Sequence, residues 1–147
     1  MQEREGKIVL LAGMAAGTTE VSGTLDASAP LADGSNGGFI ETSGARVTVA
    51  DEARITTRSA SGKTGLWLID PTDFTISSGS GASTTSSIGA TTLSTSLASS
   101  NVSIATDNNS GSDSGNIYVN SDVSWSAATL LTLSAYKDIY INAPITS

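Results

Sequence analysis

Apolar and polar residues alternate over short stretches throughout this chain, with a period of two. Ile8-Val9-Leu10-Leu11, Val47-Thr48-Val49, Leu66-Trp67-Leu68-Ile69-Asp70, Asn101-Val102-Ser103-Ile104-Ala105 and Ile117-Tyr118-Val119 are runs of three to five residues closed, directly or after one Ala, by Gly, Asp, Asn or Thr. Such runs predict β-strands joined by tight corners. Helical spacing is confined to one place, where Leu93 and Leu97 stand four apart within Ala90–Ala98. That pair predicts one or two helical turns, although Ser and Thr are weak helix formers.

The C-terminal part repeats itself. Asn101–Thr106 aligns with Leu130–Ala135, and Asn116–Ser121 aligns with Asp138–Ala143. Val123 and Trp125 then fall opposite Ile145 and Ser147. The first half carries a looser version, with openings near Ile8, Gly38 and Leu66. A period in the twenties, varied by a removable loop, is the signature of units that cannot bury their own faces and must stack on their neighbours. The alignment predicts that inward residues stack like on like: Ile117 over Ile139, Val119 over Ile141, Val102 near Leu131 and Ile104 near Leu133. Outward residues would do the same, placing Tyr118 beside Tyr140 and Asn120 beside Asn142. The chain thus divides into a first run of stacked units (1–76), a Ser/Thr/Gly-rich interruption (77–100, with a short helical or irregular piece near 88–99) and a second run (101–147). All three are read as parts of one continuous structure.

Composition narrows the chemistry. The 147 residues include 14 acidic and 7 basic side chains, a net charge of −7, and neither Cys nor His. Thiol or imidazole nucleophiles, thiolate or imidazole zinc sites and disulfides are thereby excluded. Seven scattered cations make a poor nucleic-acid surface, because phosphate contacts need basic clusters. Ser and Thr number 44, and aromatic residues supply only 5% of the chain. Hydroxyls on exposed strand faces explain the first figure, and a thin aliphatic core explains the second. No cofactor is indicated.

Several residues invite a functional reading. Tyr118 and Tyr140, with Asn120 and Asn142 beside them, form a candidate surface ladder or glycan contact; a plain stacked ladder is the preferred reading. Trp67, between Leu66 and Leu68, is expected to point outward. The oxygen-rich loop Asp107–Gly115 suggests calcium but misses the EF-hand order, since Gly111 stands where the fifth ligand should be. Asp70 with Asp73, or Asp51 with Glu52, are the only acid–base pairs in view for glycoside cleavage. Both read more simply as corners, and no enzymatic activity is expected.

Gly6–Leu10, Gly38–Gly44, Leu66–Ile76 and the strand Asn101–Thr106, with Asn116–Asn120, Val123–Trp125 and Asp138–Pro144 after them, resemble large bacterial exoproteins of the filamentous haemagglutinin type. These are the passengers of two-partner secretion systems. The likeness spans nearly the whole chain and is most specific at Leu66–Ile76. It implies an all-β fold, a right-handed parallel β-helix (β-solenoid), and a secreted or surface-displayed structural or adhesive section. It also implies export through an outer-membrane transporter and a host-cell, matrix or glycan receptor of unknown identity. The family's N-terminal secretion domain has no counterpart here, so the expectation is a section of a shaft. End-to-end self-association into filaments or matrix is a further expectation, since terminal strands offer unpaired main-chain groups. The alternative is a carbohydrate-binding or carbohydrate-cleaving protein on the same fold.

Overall fold

The computed structural model describes residues 6–79, 86–107 and 114–147. The chain opens with β1 (Lys7–Leu11), β2 (Thr18–Val21) and β3 (Thr24–Asp26), and a second trio follows as β4 (Phe39–Ser43), β5 (Arg46–Val49) and β6 (Arg54–Thr56). After β7 (Leu66–Asp70) and β8 (Phe74–Ser77) the order changes, because β9 (Ser87–Gly89) runs straight into α1 (Ala90–Leu97). Two more trios complete the series: β10 (Asn101–Ala105), β11 (Ile117–Val119) and β12 (Val123–Ser124), then β13 (Leu131–Ser134), β14 (Ile139–Ile141) and β15 (Ile145–Thr146).

Every strand pairing among the described residues is parallel. One sheet of five runs β1-β4-β7-β10-β13, and one of six runs β14-β11-β8-β9-β5-β2. The pairs β3-β6 and β12-β15 make two smaller sheets. The fold is all-β with parallel sheets, carrying a single helix among the described residues. The repeat alignment holds in register: Ile117 pairs with Ile139, Tyr118 with Tyr140 and Val119 with Ile141, while Val102 pairs with Leu131 and Ile104 with Leu133. Val123 likewise lies against Ile145.

Alternation decides which residues enter the core. Ile40, Trp67 and Val102 occupy one inward row across the five-stranded sheet, and Ile69 and Ile104 share the next. All five are fully buried, together with Phe74, Ile76, Ile117 and Val119 of the six-stranded sheet. The expected outward Trp67 is therefore corrected. Its neighbours Leu66 and Leu68 take the outward phase, which a pair of flanking leucines does not reveal when both faces of a strand carry apolar residues. The Trp67 indole N–H donates to the Thr42 hydroxyl at 3.1 Å, which satisfies the one polar atom that burial would otherwise strand.

The stretch 77–100 does more than interrupt. β9 inserts between β5 and β8, so the six-stranded sheet gains a strand that the five-stranded sheet lacks. Helix α1 then packs between β6 and β12, which accounts for the division of the third group of strands into two pairs. Leu93 and Leu97 are both fully buried, as their spacing predicted. The helix ends are tied to the strands by hydroxyls: Thr92 Oγ1 donates to the Asp51 carbonyl at 3.1 Å, and Ser99 Oγ to the Ile55 carbonyl at 3.2 Å. A Ser/Thr-rich helix of eight residues is too weak to stand alone, and burial of its two leucines is what holds it.

Glycine has a specific place at the corner before the first strand of each of the first three units. Gly6, Gly38 and Gly65 stack on one another, since Phe39 N–H donates to the Gly6 carbonyl at 2.8 Å and Leu66 N–H to the Gly38 carbonyl at 3.1 Å. A Cβ on Gly38 would lie 2.0 Å from the Gly6 oxygen, and one on Gly65 1.9 Å from the Gly38 oxygen. Register carries this position onward to Ser100 and Thr129. There α1 has changed the surroundings, and side chains are accepted: Ser100 Oγ receives the Thr57 N–H at 3.0 Å, and Thr129 Oγ1 donates to the Leu97 carbonyl at the helix end.

Candidate functional site

The proposed ladder residues do come together. The Tyr118 and Tyr140 rings stack with centroids 5.0 Å apart and planes 7° from parallel. Asn142 Nδ2 donates to Asn120 Oδ1 at 2.8 Å, and Asn116 Nδ2 to the Tyr118 hydroxyl at 3.0 Å. The Tyr140 phenol is held above its ordinary value, chiefly by the neighbouring Asp138 carboxylate. This arrangement bears on the glycan reading. Sugar rings stack on exposed aromatic faces, but here each tyrosine turns one face onto the other. What these rings offer to the side is their edges and hydroxyls. Trp125 spends its indole N–H on the Thr129 carbonyl at 3.2 Å.

The four carboxylates of the two candidate acid–base pairs lie at a strand end and in turns. Asp73 accepts main-chain N–H groups from Asn116 at 2.6 Å and Ser114 at 3.3 Å, so it anchors the chain leading into β11. Asp51 and Glu52 occupy the turn after β5, as expected. The Asp51 carboxylate lies against Gly79 and Gly89, where a Cβ on Gly89 would come 2.8 Å from Oδ1. Asp70, at the end of β7, is held above the ordinary carboxylate value, first by burial and then by the charges of Asp107 and Glu41. Among the described residues no group of three His, Cys, Asp or Glu side chains is placed to hold a metal ion. The suggested calcium loop lies largely outside the described residues, which omit 108–113, and most of the Ser/Gly/Thr run 77–87 does likewise, at 80–85.

Asp70 gives a pH prediction with a definite sign. Its folded-state pKa lies above the unfolded value near 3.8, so the native protein holds this proton more tightly. The resulting contribution favours folding below about that value and is lost as pH rises through the folded pKa. Asp70→Asn is therefore expected to raise the urea midpoint at pH 7 and to lose that advantage below pH 3.8. Paired urea titrations across this range check it; an equal offset at both ends overturns the assignment.

A surface feature that sequence reading missed lies over the glycine corner. Gly37, Gly38 and Gly65 floor a groove of about 410 Å³ walled by Phe39, Leu66, Leu130, Thr64 and Thr132. Asn101 crosses it, donating to the Thr64 carbonyl at 3.1 Å and accepting the Leu130 N–H at 3.0 Å. The signal was present in the sequence as a glycine before each of three first strands. Its meaning depends on adjacency, because the groove exists only when those glycines are side by side.

Comparison with protein-family models, with curated proteins and with solved structures returns no match to this chain. No helix among the described residues is long and apolar enough to cross a membrane.

Proposed function

We propose that this chain is a structural and adhesive section of a secreted or surface-displayed bacterial exoprotein of the filamentous haemagglutinin type, wound as a right-handed parallel β-helix. Under this reading it extends and presents surfaces, with export through an outer-membrane transporter. One observation carries the proposal: strands of successive layers pair in parallel in two separate sheets, every layer supplying a strand to each, with β9 of the third layer as one extra strand in the six-stranded sheet. A chain that winds about one axis produces this pattern, and the outward residues then form long regular rows suited to display. The Asn and Tyr ladders, and hydroxyls in place of repeated charges, support it, since stacked like charges repel.

Spin labels test the winding, and the absence of native cysteine makes labelling clean. Register links Val9 to Thr132 through Glu41, Leu68 and Ser103. Four strand spacings predict about 19 Å between those two positions. Glu20 and Tyr140 are joined through Thr48, Ser87, Thr75 and Tyr118, which predicts about 24 Å. Doubly labelled chain diluted into unlabelled chain should give both distances. Separations well beyond these overturn the wound reading. Adhesion is tested separately, by coating beads with the chain and measuring retention on glycan and matrix surfaces.

The groove over Gly38 and Gly65 favours a second reading, carbohydrate binding, because it pairs an aromatic side chain with an amide and hydroxyls. Glycan binding abolished by Phe39→Ala, with the fold retained, would support it.

A further inference from the structure

We propose that a hollow on the outer face of the β3–β6 sheet binds a small ligand carrying a single carboxylate, with Arg58 as the group that recognises it. The site shares no lining residue with the groove over Gly38 and Gly65. It depends only on the pairing of β3 with β6, so it goes beyond the exoprotein reading and is tested apart from it.

Register builds the hollow. Thr24, Leu25 and Asp26 of β3 pair with Arg54, Ile55 and Thr56 of β6, and a parallel bridge between Ala29 and Ser59 continues the ladder past both strand ends. Main-chain bonds fix that continuation: Ala29 N–H donates to the Arg58 carbonyl at 2.8 Å, and Ala60 N–H to the Ala29 carbonyl at 2.9 Å. Leu25, Ala27, Ile55 and Thr57 take the inward phase. Alternation therefore turns Asp26, Ser28 and Pro30 outward in one layer, and Thr56, Arg58 and Ala60 outward in the next. Ser28, Ala29, Pro30, Thr56, Arg58 and Ala60 line a hollow of about 300 Å³. That volume is at the small end for ligand sites and suits one ring or a short chain. It opens on the wall of the stack, not along a strand edge.

Side-chain chemistry selects the ligand. Two arginines share this face. Arg54 spends its guanidinium on its own chain, donating to the Asp51 and Ala53 carbonyls at 3.2 and 2.9 Å. The Arg58 guanidinium, exposed beside the hollow, meets no carboxylate or carbonyl among the described residues. Its hydrogen bonds run through the main chain, to Thr56 Oγ1 at 3.4 Å and from Ala29. A planar, permanently charged guanidinium offers two parallel N–H donors to a carboxylate. Thr56 Oγ1 accepts the Arg58 N–H and keeps its own proton, which is available for a second oxygen of the ligand. Pro30, Ala29 and Ala60 supply a small apolar wall. Charge limits the ligand to one anionic group. Asp26 stands in the neighbouring outward row, and Ser28 keeps it ionised through its hydroxyl and through an N–H bond of 2.9 Å to Oδ1. In a chain of net charge −7 a second negative charge on the ligand is repelled, which disfavours phosphates and polyanions. Acidic sugars and acidic peptide side chains both carry the carboxylate described, so both enter the test.

Nuclear magnetic resonance of the isotopically labelled 147-residue chain checks the assignment. Glucuronate and N-acetylglutamate are each expected to shift the Arg58 Nε–H signal and the Ala29 and Ala60 amides, saturating at roughly millimolar concentration. Glucose, the neutral counterpart, should shift none of them. Arg58→Ala is expected to weaken binding by about tenfold or more, with the rest of the spectrum retained as the sign of an intact fold. Arg58→Lys keeps the charge without the fork and should lose about threefold. A response to one acid alone upholds the site and names the source of the carboxylate. Equal responses to glucose and glucuronate, undiminished binding by Arg58→Ala, or no saturable shift with either acid overturns the proposal. None of these outcomes bears on the winding, which the spin labels read separately.

Discussion

Replacing Trp67 with alanine is expected to cost about 3–5 kcal/mol of folding stability, one of the two largest effects of any single substitution in this chain. The side chain is fully buried, sits between Ile40 and Val102 in one inward row, and heads the fully buried residues by size. Alanine would leave a void against neighbours on both sides, and strands fixed by parallel hydrogen bonds cannot close in to fill it. The indole N–H also supplies a hydrogen bond to Thr42. Trp67→Phe separates the two contributions: it keeps most of the packing and removes the donor, with an expected cost of about 1–2 kcal/mol. Urea unfolding followed by circular dichroism measures both. Equal costs for Ala and Phe would mean that the hydrogen bond, not the volume, is what matters.

Alanine at Gly65 is expected to destabilise the protein by about 3 kcal/mol or more, at the upper end of what overpacking does. The reason is contact rather than dihedral freedom. The added Cβ would fall 1.9 Å from the Gly38 carbonyl oxygen and 2.6 and 2.8 Å from the Gly37 carbonyl carbon and oxygen. None of these is the end of a flexible side chain, so relief requires parting the strands themselves. The Leu66 N–H bond to the Gly38 carbonyl would stretch first. Ser100→Ala, at the register-equivalent position one layer on, is the control. It introduces no clash and removes only the hydroxyl that receives the Thr57 N–H, so a cost of about 1–2 kcal/mol is expected. If Gly65→Ala is as mild as Ser100→Ala in the same unfolding assay, the close approach at this corner is wrong.

These two residues show where sequence reading succeeds and where it stops. The pairing of Tyr118 with Tyr140 and of Asn120 with Asn142 was legible because the two segments repeat at a constant offset of 22 residues. Equal offsets along parallel strands translate directly into register. Trp67 was not legible, because Leu66 and Leu68 are as apolar as the residues that enter the core, and alternation of hydrophobic with hydrophobic carries no phase. Its phase came from the neighbouring strand, where Ile40 and Thr42 face inward while Glu41 does not. The candidate site divides along the same line. The tyrosine ladder could be named from the repeat, but the mutual covering of its ring faces is a matter of ring geometry.

The sequence by itself determined the local and the periodic: short alternating strands, the helix carried by Leu93 and Leu97, and the register of the C-terminal repeats. Each depends on neighbours along the chain or on equal offsets between similar segments. Only the tertiary structure decided what depends on third parties. It placed β9 between β5 and β8, seated α1 between two pairs of strands, turned Trp67 inward and brought Glu41 and Asp107 to bear on Asp70. The physical reason is common to all four. A strand's partners, a side chain's burial and a carboxylate's charge environment are set by groups 25 to 40 residues away as much as by the residue itself, and no local pattern encodes where loops of unequal length bring those groups.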